Sequence, residues 1–208
     1  TINSYGVISN NTFRNSLDNF IDLYSSGRQT IIEGNRFIGC KTRVGHAVEI
    51  KVSLTDVPSN TSSDDNGWVE QIIINDNYFG DIRAHAPQFT SAIAVYYIDN
   101  RATPSFTWAE TPRNLIISNN IFDGWDATAH GSGYAANAIY LVSVSAAIVT
   151  GNVVRDWDVS AAYDYSSCLW VEGCQDIIVT GNRFSNNGGT GISIHGDSSF
   201  ISVSDNHM

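Results

Sequence analysis

Apolar positions recur along this chain in a fixed frame built around an asparagine. The first copy reads Val7, Ile8, Ser9, Asn10, Asn11, Thr12 and Phe13, and six more copies follow. Three positions before the central Asn stands Ile or Val every time: Ile8, Ile32, Ile74, Ile117, Val149, Val179 and Val203. Directly before it stands Asn, Gly or Asp, residue types that tolerate a left-handed backbone. Two positions after it stands Phe in five copies, with Val154 and Met208 in the other two. Seven in-phase matches at four positions mark a repeat architecture rather than isolated turns.

The central residues Asn11, Asn35, Asn77, Asn120, Asn152, Asn182 and Asn206 are 24, 42, 43, 32, 30 and 24 residues apart. A second segment, alternating with period two, lies inside each interval at 20–24, 47–51, 92–96, 138–142, 168–172 and 191–195. The shortest interval, 24 residues, is a bare rung. The longer intervals carry insertions on both flanks of the second strand: 53–70 and 97–113 after it, 80–90, 124–136 and 155–166 before it. The pattern predicts an all-β solenoid of parallel strands with about six to seven rungs. A side-chain amide both donates and accepts, so the asparagines are expected to form a ladder at the ~4.8 Å rung spacing. The phenylalanines are expected to stack beside it in the core.

Composition sharpens this picture. Ile plus Val number 39 against 7 for Leu plus Met, and Asn supplies 20 of 208 residues, which favours short strands and tight turns over helices. Eleven Lys plus Arg against 21 Asp plus Glu give a net charge of −10. Such a chain is unsuited to nucleic acid or an anionic membrane surface. No apolar run approaches the ~18–20 residues that span a bilayer, so membrane insertion is not expected. The cysteines Cys40, Cys168 and Cys174 match no metal spacing. The chain is expected to be a single domain, 1–208. Thr1 is not a start methionine and the last repeat stops in mid-rung, so a fragment of a longer protein is expected.

In its asparagine ladder, stacked phenylalanines and paired strands, the whole chain resembles the right-handed parallel β-helix (pectin-lyase-like) family, which includes pectate lyases and phage tailspikes. Within it the chain most resembles the tailspike polysaccharide depolymerases. The resemblance implies a virion-tail or extracellular protein acting on a bacterial surface polysaccharide, a capsule or an O-antigen. It is specific for fold and not for reaction. Lyases of this fold take a proton beside a uronate with a basic residue, often with Ca²⁺. Here the bases near the expected groove are few, Lys51, His130, His195 and Arg155, and an acidic groove repels a polyuronate.

The insertions make the second strand the floor of a groove. Its outward residues are Asp22 and Tyr24, Glu49 and Lys51, Ala94 and Tyr96, Tyr140 and Val142, Trp170 and Glu172, and Ser193 and His195. Floor and walls are rich in aromatics, among them Tyr96, Phe106, Trp108, Trp125, Tyr134, Tyr140, Trp157, Tyr163, Tyr165 and Trp170. All the tryptophans fall outside the repeated core positions, so they are expected on the groove. Flat rings beside carboxylates and amides suit sugars, which offer apolar C–H faces and polar rims. Trp125, Trp157, Trp170, Tyr140, Tyr96 and Trp108 are therefore the expected substrate-binding residues; sealing of the loop bases is the plainer alternative.

One constellation suggests catalysis. Trp125 and Trp157 stand five positions after their ladder asparagines, and Asp126 and Asp158 stand six after. Equal register on adjacent rungs would set the two carboxylates ~5 Å apart, the geometry of a retaining glycosidase. Like charges that close raise one pKa and create a general acid. Glu172 points outward from the rung of Asp158 and is the alternative partner. The plainer alternative is that Asp126 and Asp158 cap turns or bind Arg155. Asp22 and Glu49 form a second stacked pair, with Lys51 or His195 able to neutralise neighbours. Asp64, Asp65, Asn66 and Gly67 offer oxygen donors for Ca²⁺ without the spaced ligand set, so no metal or cofactor is expected. His46 and His85 read as structural. An endo-glycosidase is the leading expectation; a non-catalytic glycan-binding or structural coil, or a lyase or epimerase, is the alternative.

The first strand of each repeat shows an outward aliphatic stripe four positions before the Asn: Val7, Ile31, Ile73, Ile116, Ile148 and Ile178, ending at Ser202. Such a stripe needs a cover. Tailspikes are trimers of such coils, so a homotrimer seam is expected, with a covering segment of the same chain as the alternative.

Overall fold

A computed structural model describes residues 5–24, 28–42, 46–55, 69–84, 90–100, 108, 111–126, 136–158 and 167–208. For Trp125, Asp126 and Asp158 it describes the backbone. Among these residues every strand pairing is parallel and there is no α-helix. Three sheets run along the coil. The first holds Gly6–Ser9, Thr30–Glu33, Ile73–Asn75, Arg113–Ser118, Ser145–Thr150, Gln175–Thr180 and Ser199–Ser204. The second holds Thr12–Arg14, Arg36–Ile38, Tyr78–Gly80, Ile121–Asp126, Val153–Asp158 and Arg183–Ser185. The third holds Ile21–Tyr24, Val48–Thr55, Thr90–Asn100, Ala136–Val142, Ser167–Glu172 and Thr190–His195. The solenoid expected from the repeat is present, with three strands per rung instead of two. The additional strand is the short one that follows the ladder asparagine and carries the phenylalanine.

The asparagine ladder joins these rungs. From Asn11 to Asn206, each Nδ2 donates to the Oδ1 of the next asparagine at 2.9–3.2 Å. The backbone N–H of the same residue donates to that oxygen at 2.9–3.0 Å. The second Nδ2 hydrogen reaches a carbonyl of the preceding rung, as from Asn120 to Ile74 at 2.9 Å. These amides are saturated in a dry site, with Asn35, Asn77, Asn120, Asn152 and Asn182 at most 1% exposed. The residue before each, from Asn10 to Asp205, has φ between 54° and 66°. At Gly151 a Cβ would also fall 2.5 Å from Asn119 Oδ1, so a side chain there would have to displace that amide as well as accept the left-handed backbone.

Phe13, Phe37, Phe79 and Phe122 stack at 4.9–5.0 Å between centroids. The stack stops where Val154 replaces Phe, and Trp157 takes up the space, edge-on to Phe122 at 6.1 Å and fully buried. This corrects the expectation that every tryptophan lies outside the core. Asp156 adopts φ 52°, and this bend shifts the inward–outward alternation, so Trp157 points in. The aliphatic stripe of the first sheet is in register from Val7 to Ser202. Ile116, Ile148 and Ile178 on it are 36%, 38% and 44% exposed, and they border a shallow cavity of about 340 Å³.

Candidate functional site

The third sheet turns two rows of side chains outward. Asp22, Glu49, Ala94, Tyr140, Trp170 and Ser193 align in one row, and Tyr24, Lys51, Tyr96, Val142, Glu172 and His195 in the next. Ile50, Val95, Leu141 and Val171 between them belong to the core, which fixes the direction of the rows. The rows face away from the core, yet Glu49, Ala94 and Trp170 are only 5%, 0% and 2% exposed. The middle of the floor therefore lies sunk below the surface, while Asp22, Tyr24 and His195 at its ends are exposed. Two strands run past the expected floor and stay paired, Tyr97 with Val52 through Asn100 with Thr55, so part of each insertion extends the sheet.

At one end of the floor the hub is Glu49. Its Oε2 accepts the Asn19 side-chain amide and Lys51 Nζ, the latter at 3.1 Å, and its Oε1 accepts the Tyr96 hydroxyl. Burial alone would raise its pKa, but the hydrogen bonds from Tyr96 and Lys51 outweigh this and hold the carboxyl below the usual range. Burial, and then the Glu49 carboxylate, push Tyr96 well up. Burial would lower Lys51, yet Glu49 and Asp22 raise it above the ordinary range, so it is a fixed ammonium. Nζ also donates to Asp22 Oδ2 at 3.5 Å and lies 5.2 Å from the centre of the Tyr24 ring. With its oxygens so occupied, Glu49 is an anchor for its neighbours rather than a free acid or nucleophile.

Beneath this hub runs a second polar row that periodicity alone did not bring out. His46 N–H donates to Asn19 Oδ1 at 2.7 Å, Ser91 N–H to His46 Nδ1 at 2.9 Å, and Ser167 N–H to Asn137 Oδ1 at 2.9 Å. Each of these residues stands directly before the alternating segment of its rung, at 20–24, 47–51, 92–96, 138–142 and 168–172, a signal present in the sequence. Burial lowers the His46 pKa to about 4, so the ring is neutral.

At the other end the Trp170 indole N–H donates to Glu172 Oε2 at 3.0 Å, and the exposed His195 ring stacks on Trp170 at 3.8 Å and 12°. One face of Trp170 is thus taken, and the exposed surface of this ring pair belongs to His195. Burial, and then the charge of Glu172, push the Tyr140 hydroxyl up to about 12. The structure brings Tyr96, Tyr140, Trp170 and Glu172 onto one face. Trp108 lies off it, at the turn into Arg113–Ser118, where its carbonyl accepts the Thr111 hydroxyl at 2.9 Å.

Asp126 and Asp158 pair in register at the ends of adjacent second-sheet strands, directly after the paired Trp125 and Trp157. Arg155 grips Asp123 with two hydrogen bonds of 3.1 and 2.9 Å. Trp157, in the core, is withdrawn as a sugar platform. Phe106, Tyr134, Tyr163, Tyr165, His85, His130 and the Asp64–Gly67 segment lie outside the described residues. Among the described residues no group of three or more His, Cys, Asp or Glu could hold a metal. All three cysteines are buried thiols; burial pushes Cys40 and Cys168 up to about 12 and Cys174 to about 11, so none is a ready nucleophile.

A family model described as a right handed beta helix region matches residues 1–208. No curated protein and no solved structure matches the chain.

Proposed function

The chain belongs to the right-handed beta helix family, and from that premise we propose that it binds a bacterial surface polysaccharide along the outer face of the third sheet and hydrolyses it. The observation that carries this is the pair of outward rows, sunken in their middle rungs, which set tyrosines, the Trp170–His195 stack and three carboxylates in register over six rungs. A linear groove of rings and hydrogen-bonding groups along a solenoid axis suits a linear glycan. In this proposal the protein is a tailspike-like endo-glycosidase of a virion tail. Asp126 and Asp158 serve as acid and as nucleophile or base, or Glu172 replaces one of them, and Trp125 contributes to sugar binding. A lyase is less favoured, because Lys51 is held as an ammonium between two carboxylates and cannot accept a proton.

Capsule and O-antigen preparations, treated with the protein with and without Ca²⁺, test this. New reducing ends without the ultraviolet absorbance of an unsaturated uronate mean hydrolysis, and that absorbance means a lyase. Binding without either means a recognition module. Asp126→Asn and Asp158→Asn should each slow turnover at least ~10²-fold while binding survives. If Glu172→Gln alone is inactive, the acid lies on the strand floor.

The exposed isoleucine stripe of the first sheet supports assembly as a homotrimer. Ile116→Glu with Ile148→Glu should convert a sedimenting trimer to monomer; a wild type that is already monomeric removes the seam.

A further inference from the structure

The charges on this face point to a class of glycan. The two outward rows hold Asp22, Glu49 and Glu172 against a single ammonium, Lys51. That ammonium is already spent between Glu49 at 3.1 Å and Asp22 at 3.5 Å. A uronate reaching for Lys51 would have to displace two carboxylates and would bring a third negative charge beside them, in a chain of net charge −10. The opposite sign is welcome at the other end. Glu172 Oε2 accepts the Trp170 indole, while Oε1 has no partner among the described residues. Next to it are the exposed ring of His195 stacked on Trp170, and Tyr140 in register with Trp170. An open carboxylate oxygen bordered by aromatic rings is a site for an ammonium group. The same chemistry is already built inside the protein, where two carboxylates and the Tyr24 ring surround Lys51.

Building on the glycan-binding proposal, we infer that the polymer bound along this face carries free amines, as a de-N-acylated hexosamine chain does, and that Glu172 takes the amine. Carboxylates on the rows exclude polyuronates.

Calorimetric titration of the wild type decides this, at a pH where the sugar amines are protonated and at two ionic strengths. The probes are a glucosamine oligomer, its N-acetylated counterpart of equal length, an oligogalacturonate and spermine. The glucosamine oligomer should bind about tenfold tighter than the acetylated one, the scale of one charge-assisted hydrogen bond, and the preference should weaken with salt. Oligogalacturonate should not bind. Glu172→Gln should abolish the preference and keep the acetylated oligomer bound, which also shows that the variant is folded. Equal binding of the two glucosamine forms, binding of the galacturonate, or a preference that survives Glu172→Gln overturns the inference and leaves glycan recognition standing. Spermine binding as tightly as the glucosamine oligomer also overturns it, reducing the effect to net charge. If no oligosaccharide binds but a capsule or O-antigen preparation does, the inference fails alone; if neither binds, glycan recognition fails with it.

Discussion

Replacing His46 by Asn should remove an acid-sensitive group while keeping the hydrogen bond it makes. His46 is 6% exposed, and its Nδ1 accepts the Ser91 N–H at 2.9 Å. Two rungs along, at the equivalent position, Asn137 Oδ1 accepts the Ser167 N–H at the same 2.9 Å, so an amide already performs this task in the fold. Burial lowers the His46 pKa from 6.5 to about 4, against the opposing pull of the Glu49 charge. Protonation in the folded state would also put a hydrogen on Nδ1, against the Ser91 donor. The unfolded chain takes up this proton as pH falls through 6.5, whereas the folded chain resists until about 4. Stability from the neutral ring is therefore whole above 6.5 and is lost progressively down to about 4. At about 1.4 kcal/mol per pH unit, the full loss is about 3 kcal/mol. Glu49, whose folded pKa is also depressed, adds a loss of the same sign at lower pH, but it does so in both proteins. Urea unfolding of wild type and His46→Asn, from neutral pH to about pH 4, reads the difference directly. The variant should gain on the wild type by about 3 kcal/mol across that window. Parallel curves would refute the claim that His46 is buried neutral.

Asn120→Leu should destabilise the coil by about 1–3 kcal/mol, because it leaves the Asn77 N–H and Nδ2 without their shared acceptor; the denaturant midpoint measures it. Trp157→Ala should cost about 3–5 kcal/mol, since the ring is fully buried, whereas His195→Ala should leave the midpoint nearly unchanged and weaken glycan binding instead. Phe200→Gly should raise the thermal midpoint, by about 1 kcal/mol in stability, because Phe200 holds φ 54° while 77% exposed, so a strained backbone is relieved with little packing lost.

The parts of the fold that were legible are those where one chemical need repeats on every rung. The ladder needs an amide at each asparagine and a left-handed residue before it, and only a few residue types meet either demand. A second left-handed row was hidden for the converse reason. It consists of Gln29, Gln71, Asn114, Ala146, Asp176 and Phe200, all with φ between 49° and 59°. Glutamine, alanine and phenylalanine carry no turn signal, and their backbone is set by the rungs above and below. Trp157 is hidden for a related reason. It falls outside the repeated core positions, and the left-handed backbone at Asp156 turns it into the core.

The floor of the third sheet was legible as a surface but not as a set of chemical roles. Alternation alone identifies which side chains face out, and cross-strand register then follows from equal spacing within each rung. What it does not convey is which acceptors are already used. Asp22, Glu49 and Glu172 look alike along the chain, and only contacts across strands separate them. Glu49 is closed by Asn19, Lys51 and Tyr96, which come from three different rungs or offsets. Glu172 gives one oxygen to Trp170 and, among the described residues, keeps the other open. A carboxylate whose oxygens are occupied positions its neighbours; one with an oxygen open can still meet a ligand. That distinction moves the chemical weight of this face from the Asp22–Glu49 pair to Glu172. It also makes Glu172→Gln the most informative substitution on this face, because the same variant reports on turnover, on amine preference and on the anchoring of Trp170.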